Sequence, residues 1–227
     1  MKKLSQAVVC ASALAVTGFS SLAVAESPLT ANIGVSSNYL WRGVSQTAEA
    51  SAVSGGVDYA HDSGFYIGTW VSNVTWTTND GYEHDVYLGY GGKAGPVSYD
   101  IGYISYIYPV GDAEEDFSEL LLSVGYGPVT FLYAPTVGKE DSSAPEDDVY
   151  MSISAEFEVK KDLTLGVLYG SYDFDGGDAS DYTHYQISLS KDDFTIAYDV
   201  VDPETDDPTK VVDAPRISVS WSKSFDL

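Results

Sequence analysis

The sequence of 227 residues has one cysteine, three histidines, two methionines and 11 lysines and arginines against 34 aspartates and glutamates. Each shortage excludes something. Cys10, the single cysteine, sits inside an N-terminal apolar run, so no disulfide framework staples the fold. It is also not at the expected leader cut, which argues against a lipoprotein. The formal net charge of −23 makes the chain repel phosphate backbones, so no nucleic acid is expected as a partner. After residue 22 no stretch approaches the roughly 18 consecutive apolar residues of a membrane-spanning helix.

What is present begins with a leader pattern. Lys2 and Lys3 give a positive start, Ala7–Leu22 an apolar run, and Ala23-Val24-Ala25 a small-residue cut before Glu26. The expected organisation is a cleaved secretion signal over 1–25 and one domain over 26–227, with no second domain. Losing Lys2 and Lys3 leaves nine basic residues against 34 acidic ones, a net charge of −25. Such charge can signal disorder, but 18 tyrosines, eight phenylalanines and four tryptophans oppose that reading. Tyrosine and tryptophan are the side chains favoured at membrane–water boundaries.

Beyond the leader the chain alternates apolar and polar residues in short stretches, with no helical period between them. Strands are predicted over 30–41, 50–59, 64–75, 82–92, 97–108, 117–126, 129–137, 149–159, 162–172, 182–191, 193–201 and 214–225. The connections alternate in length. His61–Ser63, Lys93–Pro96, Gly127-Pro128, Lys160-Lys161 and Lys191-Asp192 are tight. Gly43–Glu49, Trp76–Gly81, Pro109–Asp116, Gly138–Asp148, Asp173–Asp181 and Asp202–Asp213 are longer and mostly acidic. The expected fold is all-β: a single transmembrane antiparallel up-and-down barrel of about 12 strands, with short periplasmic turns and longer acidic extracellular loops.

The two faces of the strands differ in chemistry. Val53, Val57 and Tyr59, Val86, Leu88 and Tyr90, or Leu120, Leu122, Val124 and Tyr126 share the outward phase. Arg42, Asp58, Glu83, Asp85, Asp100, Glu119 and Glu156 fall on the opposite one. In hydrocarbon each such charge costs roughly 2–4 kcal/mol near the midplane, so they must face a wet interior. They are the candidate lumen and selectivity residues. Arg42 is either a fixed positive charge in a channel or the partner of a carboxylate such as Glu119 or Asp58. The carboxylates are either a cation-favouring lining or part of a hydrogen-bonded plug with inward Tyr66, Tyr87, Tyr106 and Tyr150.

Asn38-Tyr-Leu-Trp-Arg-Gly-Val-Ser-Gln46, Gly64-Phe-Tyr-Ile-Gly-Thr-Trp-Val-Ser-Asn73, Glu83-His-Asp-Val-Tyr-Leu-Gly-Tyr90 and Tyr99-Asp-Ile-Gly-Tyr-Ile-Ser-Tyr-Ile-Tyr-Pro109 resemble the TorF family of porin-like outer-membrane proteins. The resemblance covers essentially the whole chain after the leader and implies a porin-like role. Family members usually end at the phenylalanine of the final strand, whereas here Asp226 and Leu227 follow Phe225.

Other chemistries fit less well. In a strand His84 points away from Glu83 and Asp85, so the three cannot converge on a metal. Asp173–Asp178 places its glycine too early for an EF-hand, and Glu146-Asp-Asp148 carries no diagnostic ligand spacing. A barrel lipase would need a serine activated by a histidine, and His184 lies on a strand with Ser188 and Ser190 too far along it to serve. The expectation is therefore a non-enzymatic porin in the bacterial outer membrane, without cofactor, passing small hydrophilic solutes with a lean toward cations. Its expected partners are outer-membrane lipid, lipopolysaccharide and the barrel-assembly machinery, which reads the last strand at Phe225. The alternative is a closed barrel serving surface interaction.

Overall fold

A computed structural model describes residues 28–76, 79–109, 116–139, 147–175, 181–203 and 214–227. The expected leader, 1–25, lies outside the described residues. The strands are β1 (Leu29–Ser36), β2 (Leu40–Trp41), β3 (Val44–Ser45), β4 (Ala52–Ala60), β5 (Phe65–Trp76), β6 (Asn79–Ala94) and β7 (Val97–Ile107). They continue with β8 (Phe117–Tyr126), β9 (Val129–Lys139), β10 (Val149–Lys160), β11 (Leu163–Asp173), β12 (Tyr182–Lys191), β13 (Phe194–Pro203) and β14 (Arg216–Asp226). All but β2 and β3 pair antiparallel with their neighbours, and β1 closes on β14, giving a barrel of twelve strands among the described residues. Closure leaves no unpaired edge.

Alternation decides which side of the wall each residue takes. Outward Val53, Ile101, Val124, Ile153, Ile187 and Ile217 are 50–66% exposed, far too much contiguous apolar surface for a protein bathed only in water. Tyr59, Phe65, Tyr90, Tyr126, Phe157 and Phe194 stand exposed near the short turns, and Tyr82, Tyr169 and Tyr185 toward the opposite end. The first set forms a belt like the aromatic girdle that membrane barrels carry at an interface.

Tight turns join β4–β5, β6–β7, β8–β9, β10–β11 and β12–β13 at one end. Each holds a residue in the left-handed region: Gly64 (φ 99°), Gly95 (64°), Gly127 (59°), Asp162 (61°) and Asp192 (53°). Both Leu29 and Leu227 lie at this end, where the Leu227 N–H donates to the Leu29 carbonyl. One predicted long loop is shorter than expected. The β5–β6 ladder continues through Thr75↔Asp80 to Trp76↔Asn79.

The larger departure lies in the first strand. Its alternation predicts one strand over 30–41 with Arg42 on its inner phase, but the wall strand stops at Ser36. Residues 40–45 instead form a separate hairpin, with Leu40 opposite Ser45 and Trp41 opposite Val44. Arg42 (φ 50°) and Gly43 (φ 84°) make its two-residue turn. Left-handed backbone at both central positions is the geometry that tight hairpins favour. Arg42 is thus at the tip of a hairpin folded into the barrel, not on the wall.

Candidate functional site

The hairpin fills the long-connection end of the lumen. Its backbone is held from two sides, by Ser37 N–H donating to Val219 O (2.9 Å) and Thr75 N–H donating to Gln46 O (2.8 Å). Thr47, fully buried, donates to Ala50 O (2.5 Å) and accepts from the Tyr39 N–H (3.1 Å). Ala48 (φ 48°) and Glu49 (φ 62°) turn the chain back to β4. Glu49 accepts from Asn38 and, at 2.7 Å, from Arg216 of β14.

Arg42 is 1% exposed and Glu119, on β8, is 0% exposed. The guanidinium forks onto the carboxylate, Nη1 to Oε1 at 2.8 Å and Nη2 to Oε2 at 2.6 Å. Of the two carboxylates considered from sequence, Glu119 and not Asp58 is the partner. The guanidinium carbon also lies 4.3 Å from the Trp41 ring centroid, 4.0 Å from Tyr150 and 5.0 Å from Tyr172, all within cation–π range. Burial by itself lowers the Arg42 pKa, but the Glu119 carboxylate overrides it and holds Arg42 charged, above its ordinary value. Trp41 packs edge-on to Tyr106, Phe117 and Tyr172. A side chain at Gly43 would strike Val201 (2.8 Å) and His184 (3.1 Å). The hairpin tip therefore reaches β7, β8, β10, β11, β12 and β13, most of the way around the wall.

The other predicted lumen residues take distinct places. Glu83, 1% exposed, accepts a hydrogen bond from Tyr39 of the inward segment and another from Tyr108, each at 2.6 Å. Burial, then the Glu83 charge, pushes the Tyr39 phenol above its ordinary pKa. Asp85, 0% exposed, has no hydrogen-bond partner on either carboxylate oxygen. His84 points the other way, against Thr69 (2.8 Å). Nearer the short turns, half-buried Asp58 accepts from Asn32 (3.3 Å) and Tyr87, and Asp100 accepts from Tyr66 (2.9 Å). Glu156 continues the inner phase of β10 but stands exposed at the short-turn rim, outside the enclosed set. Inward Tyr66, Tyr87 and Tyr106 each donate to a carboxylate, while Tyr150 lies 2.9 Å from His184 Nε2.

Three further buried acids lie outside the expected lumen set, and of these only Asp148 was weighed from sequence, as part of an acidic loop cluster. Asp199 on β13 accepts from Gln186 (2.9 Å) and leaves its second oxygen unbonded. Its place between Ala197 and Val201 on the inner phase was available as a signal. Asp148 accepts from Lys139 (2.7 Å) and the Asp175 N–H, and Asp181 from the Phe174 N–H, so these loop-root acids brace the long connections. Glu146 and residues 176–178 lie outside the described residues. No group of three or more histidine, cysteine or acidic side chains fit to hold a metal occurs among the described residues.

Residues 22–225 match the profile of a family described as "Bacterial protein of unknown function (Gcw_chp)", a different name from the one the motifs suggested. No curated protein matches the sequence. Among solved structures the chain is similar to the KdgM porin, with a TM-score of 0.59 at 10% identity over 87% of this chain and 99% of that one. It is also similar to the KdgM porin in complex with disordered oligogalacturonate, with a TM-score of 0.55 at 10% identity over 88% and 98%. At such identity the likeness is one of fold.

Proposed function

The chain belongs to the Gcw_chp family of bacterial proteins of unknown function, and we propose that it is an outer-membrane porin-like barrel for small hydrophilic solutes with a lean toward cations. The supporting observation is the sign of its interior. Asp58, Glu83, Asp85, Asp100, Glu119 and Asp199 all face inward, and Arg42 is the only lysine or arginine among the described buried residues. Rings of one charge sign set ion preference in narrow pores. An anionic polymer such as the oligogalacturonate of the KdgM complex would meet repulsion in this lumen.

In this reading residues 1–25 direct export, the exposed apolar belt meets lipid and lipopolysaccharide, and the last strand through Phe225 is what the assembly machinery reads. In this reading the protein is a channel and not an enzyme. A second reading, a closed barrel serving surface interaction, draws on the hairpin whose tip spans the long-connection end.

Planar bilayers separate the readings. Purified protein in a potassium chloride gradient should give discrete conductance steps with a reversal potential on the cation-selective side, and Asp58→Asn/Asp100→Asn should move it toward zero. An anion-selective potential would defeat the ionic preference. Silent bilayers, with the hairpin-releasing variant described below silent as well, would defeat the channel and favour the closed barrel.

A further inference from the structure

Asp85 is the one buried inward carboxylate among the described residues with neither oxygen hydrogen-bonded. Buried ions persist only when something pairs them. Glu83, the next inward residue along β6, has one tyrosine O–H on each oxygen and forms no ion pair among the described residues. Arg42, the single buried lysine or arginine among the described residues, is engaged through both terminal nitrogens with Glu119. No basic side chain among the described residues pairs Asp85, so it either holds a proton or takes a counter-charge that those residues do not supply.

The surroundings narrow what that charge can be. In register Asp85 stands opposite Trp70 on β5 and Tyr106 on β7, and Tyr39 packs edge-on to Trp70 at 5.5 Å between ring centroids. The described residues assemble no set of three metal-ligating side chains, which disfavours a divalent ion. One free carboxylate, a second with acceptor capacity to spare, and aromatic flanks suit a single positive charge with little hydration demand. We propose that Asp85, with Glu83 beside it, forms a lumenal binding site for one small monovalent cation of the alkali-metal or ammonium type. The site deepens the cation-leaning reading, on which it rests, by giving it a place within the barrel. It is tested by binding rather than current, so a silent bilayer would leave it standing. Its failure would leave the reversal potential to decide selectivity.

The full chain, refolded in detergent, is melted in sodium, potassium, ammonium or N-methylglucamine chloride at equal ionic strength. The three small cations should raise the unfolding midpoint saturably above the bulky one, and whichever saturates at the lowest concentration identifies the preferred class. Asp85→Asn, which keeps the shape and removes the charge, should abolish the increment. Asp58→Asn, at a carboxylate that already has two partners, should keep it. Crystals soaked in rubidium chloride should show an anomalous peak against the Asp85 carboxylate. Equal midpoints in all four salts, as a carboxylic acid holding its own proton would give, would overturn the proposal. So would an increment that survives Asp85→Asn, or a rubidium map empty at Asp85.

Discussion

Replacing Arg42 with methionine asks whether the inward hairpin is held by its ion pair. The change leaves Glu119, fully buried, with only the Tyr106 hydroxyl at 3.2 Å. Removing one partner of a buried pair costs about 3–5 kcal/mol, chiefly through the charge left stranded. The three ring faces around the guanidinium add to the loss, though not additively. The wall does not have to absorb this cost. β1 and β4 pair with each other from Leu29↔Tyr59 to Ser36↔Ala52 without the hairpin, so the cheaper escape is for residues 38–49 to leave the lumen. At 1.4 kcal/mol per decade the undocked fraction should rise roughly a hundredfold to several-thousandfold. Maleimide labelling of a Val44→Cys reporter, in a Cys10→Ser background, reads that fraction directly, since Val44 packs against the core when docked. Bilayer conductance read in parallel should rise with it. In Arg42→Met/Glu119→Met neither charge is stranded, and labelling should fall back toward the parent rate. Equal labelling in all three proteins, or a double variant as fast as the single, would refute the ion pair as the latch.

Two further perturbations address the wall. Gly64→Ala forces a side chain onto φ 99° and into the Gly91 carbonyl, whereas Gly95→Ala at φ 64° meets nothing within 4 Å. The second should cost only the left-handed penalty of roughly 1–2 kcal/mol and the first clearly more, as urea midpoints in vesicles would record; equal losses would mean that the Gly64 turn is not the tight site described. Ile153→Arg places a charge on the half-exposed outer face of β10 near mid-strand, and should cost about 2–4 kcal/mol in folding into bilayers, against about 0–1 for Phe157→Arg near the turn. Insensitivity to depth would mean that lipid does not wet this face.

The barrel was legible because it rests on a local rule. Period-two alternation with contrasting faces writes the wall into every ten residues, and the predicted spans 117–126 and 182–191 coincide with β8 and β12. The inward hairpin was not legible for the converse reason. Asn38 through Trp41 continue the alternation of β1, so the pattern alone extends the wall past Ser36. What turns the chain inward is a contact between residues 77 apart, Arg42 and Glu119, and another 44 apart, Tyr39 and Glu83. Only Gly43, able to take the second left-handed position of the turn, marked the place. Asp199 differs: its inner phase could be read between Ala197 and Val201, and it escaped because no motif drew notice to it.

The shortage of basic residues and the surplus of tyrosine answer each other inside the barrel. Buried carboxylates ordinarily take lysine or arginine as partners. Here Asp58 takes Tyr87, Glu83 takes Tyr39 and Tyr108, Asp100 takes Tyr66, and only Glu119 takes a guanidinium, with Tyr106 beside it. A phenol satisfies the hydrogen-bonding demand of a carboxylate without cancelling its charge. A lysine in the same place would do both. On the proposed reading these carboxylates keep their hydrogen bonds and their negative sign together, and that sign is what would bias ions. A porin selecting anions would need the opposite exchange, basic residues for phenols, on these same inner positions.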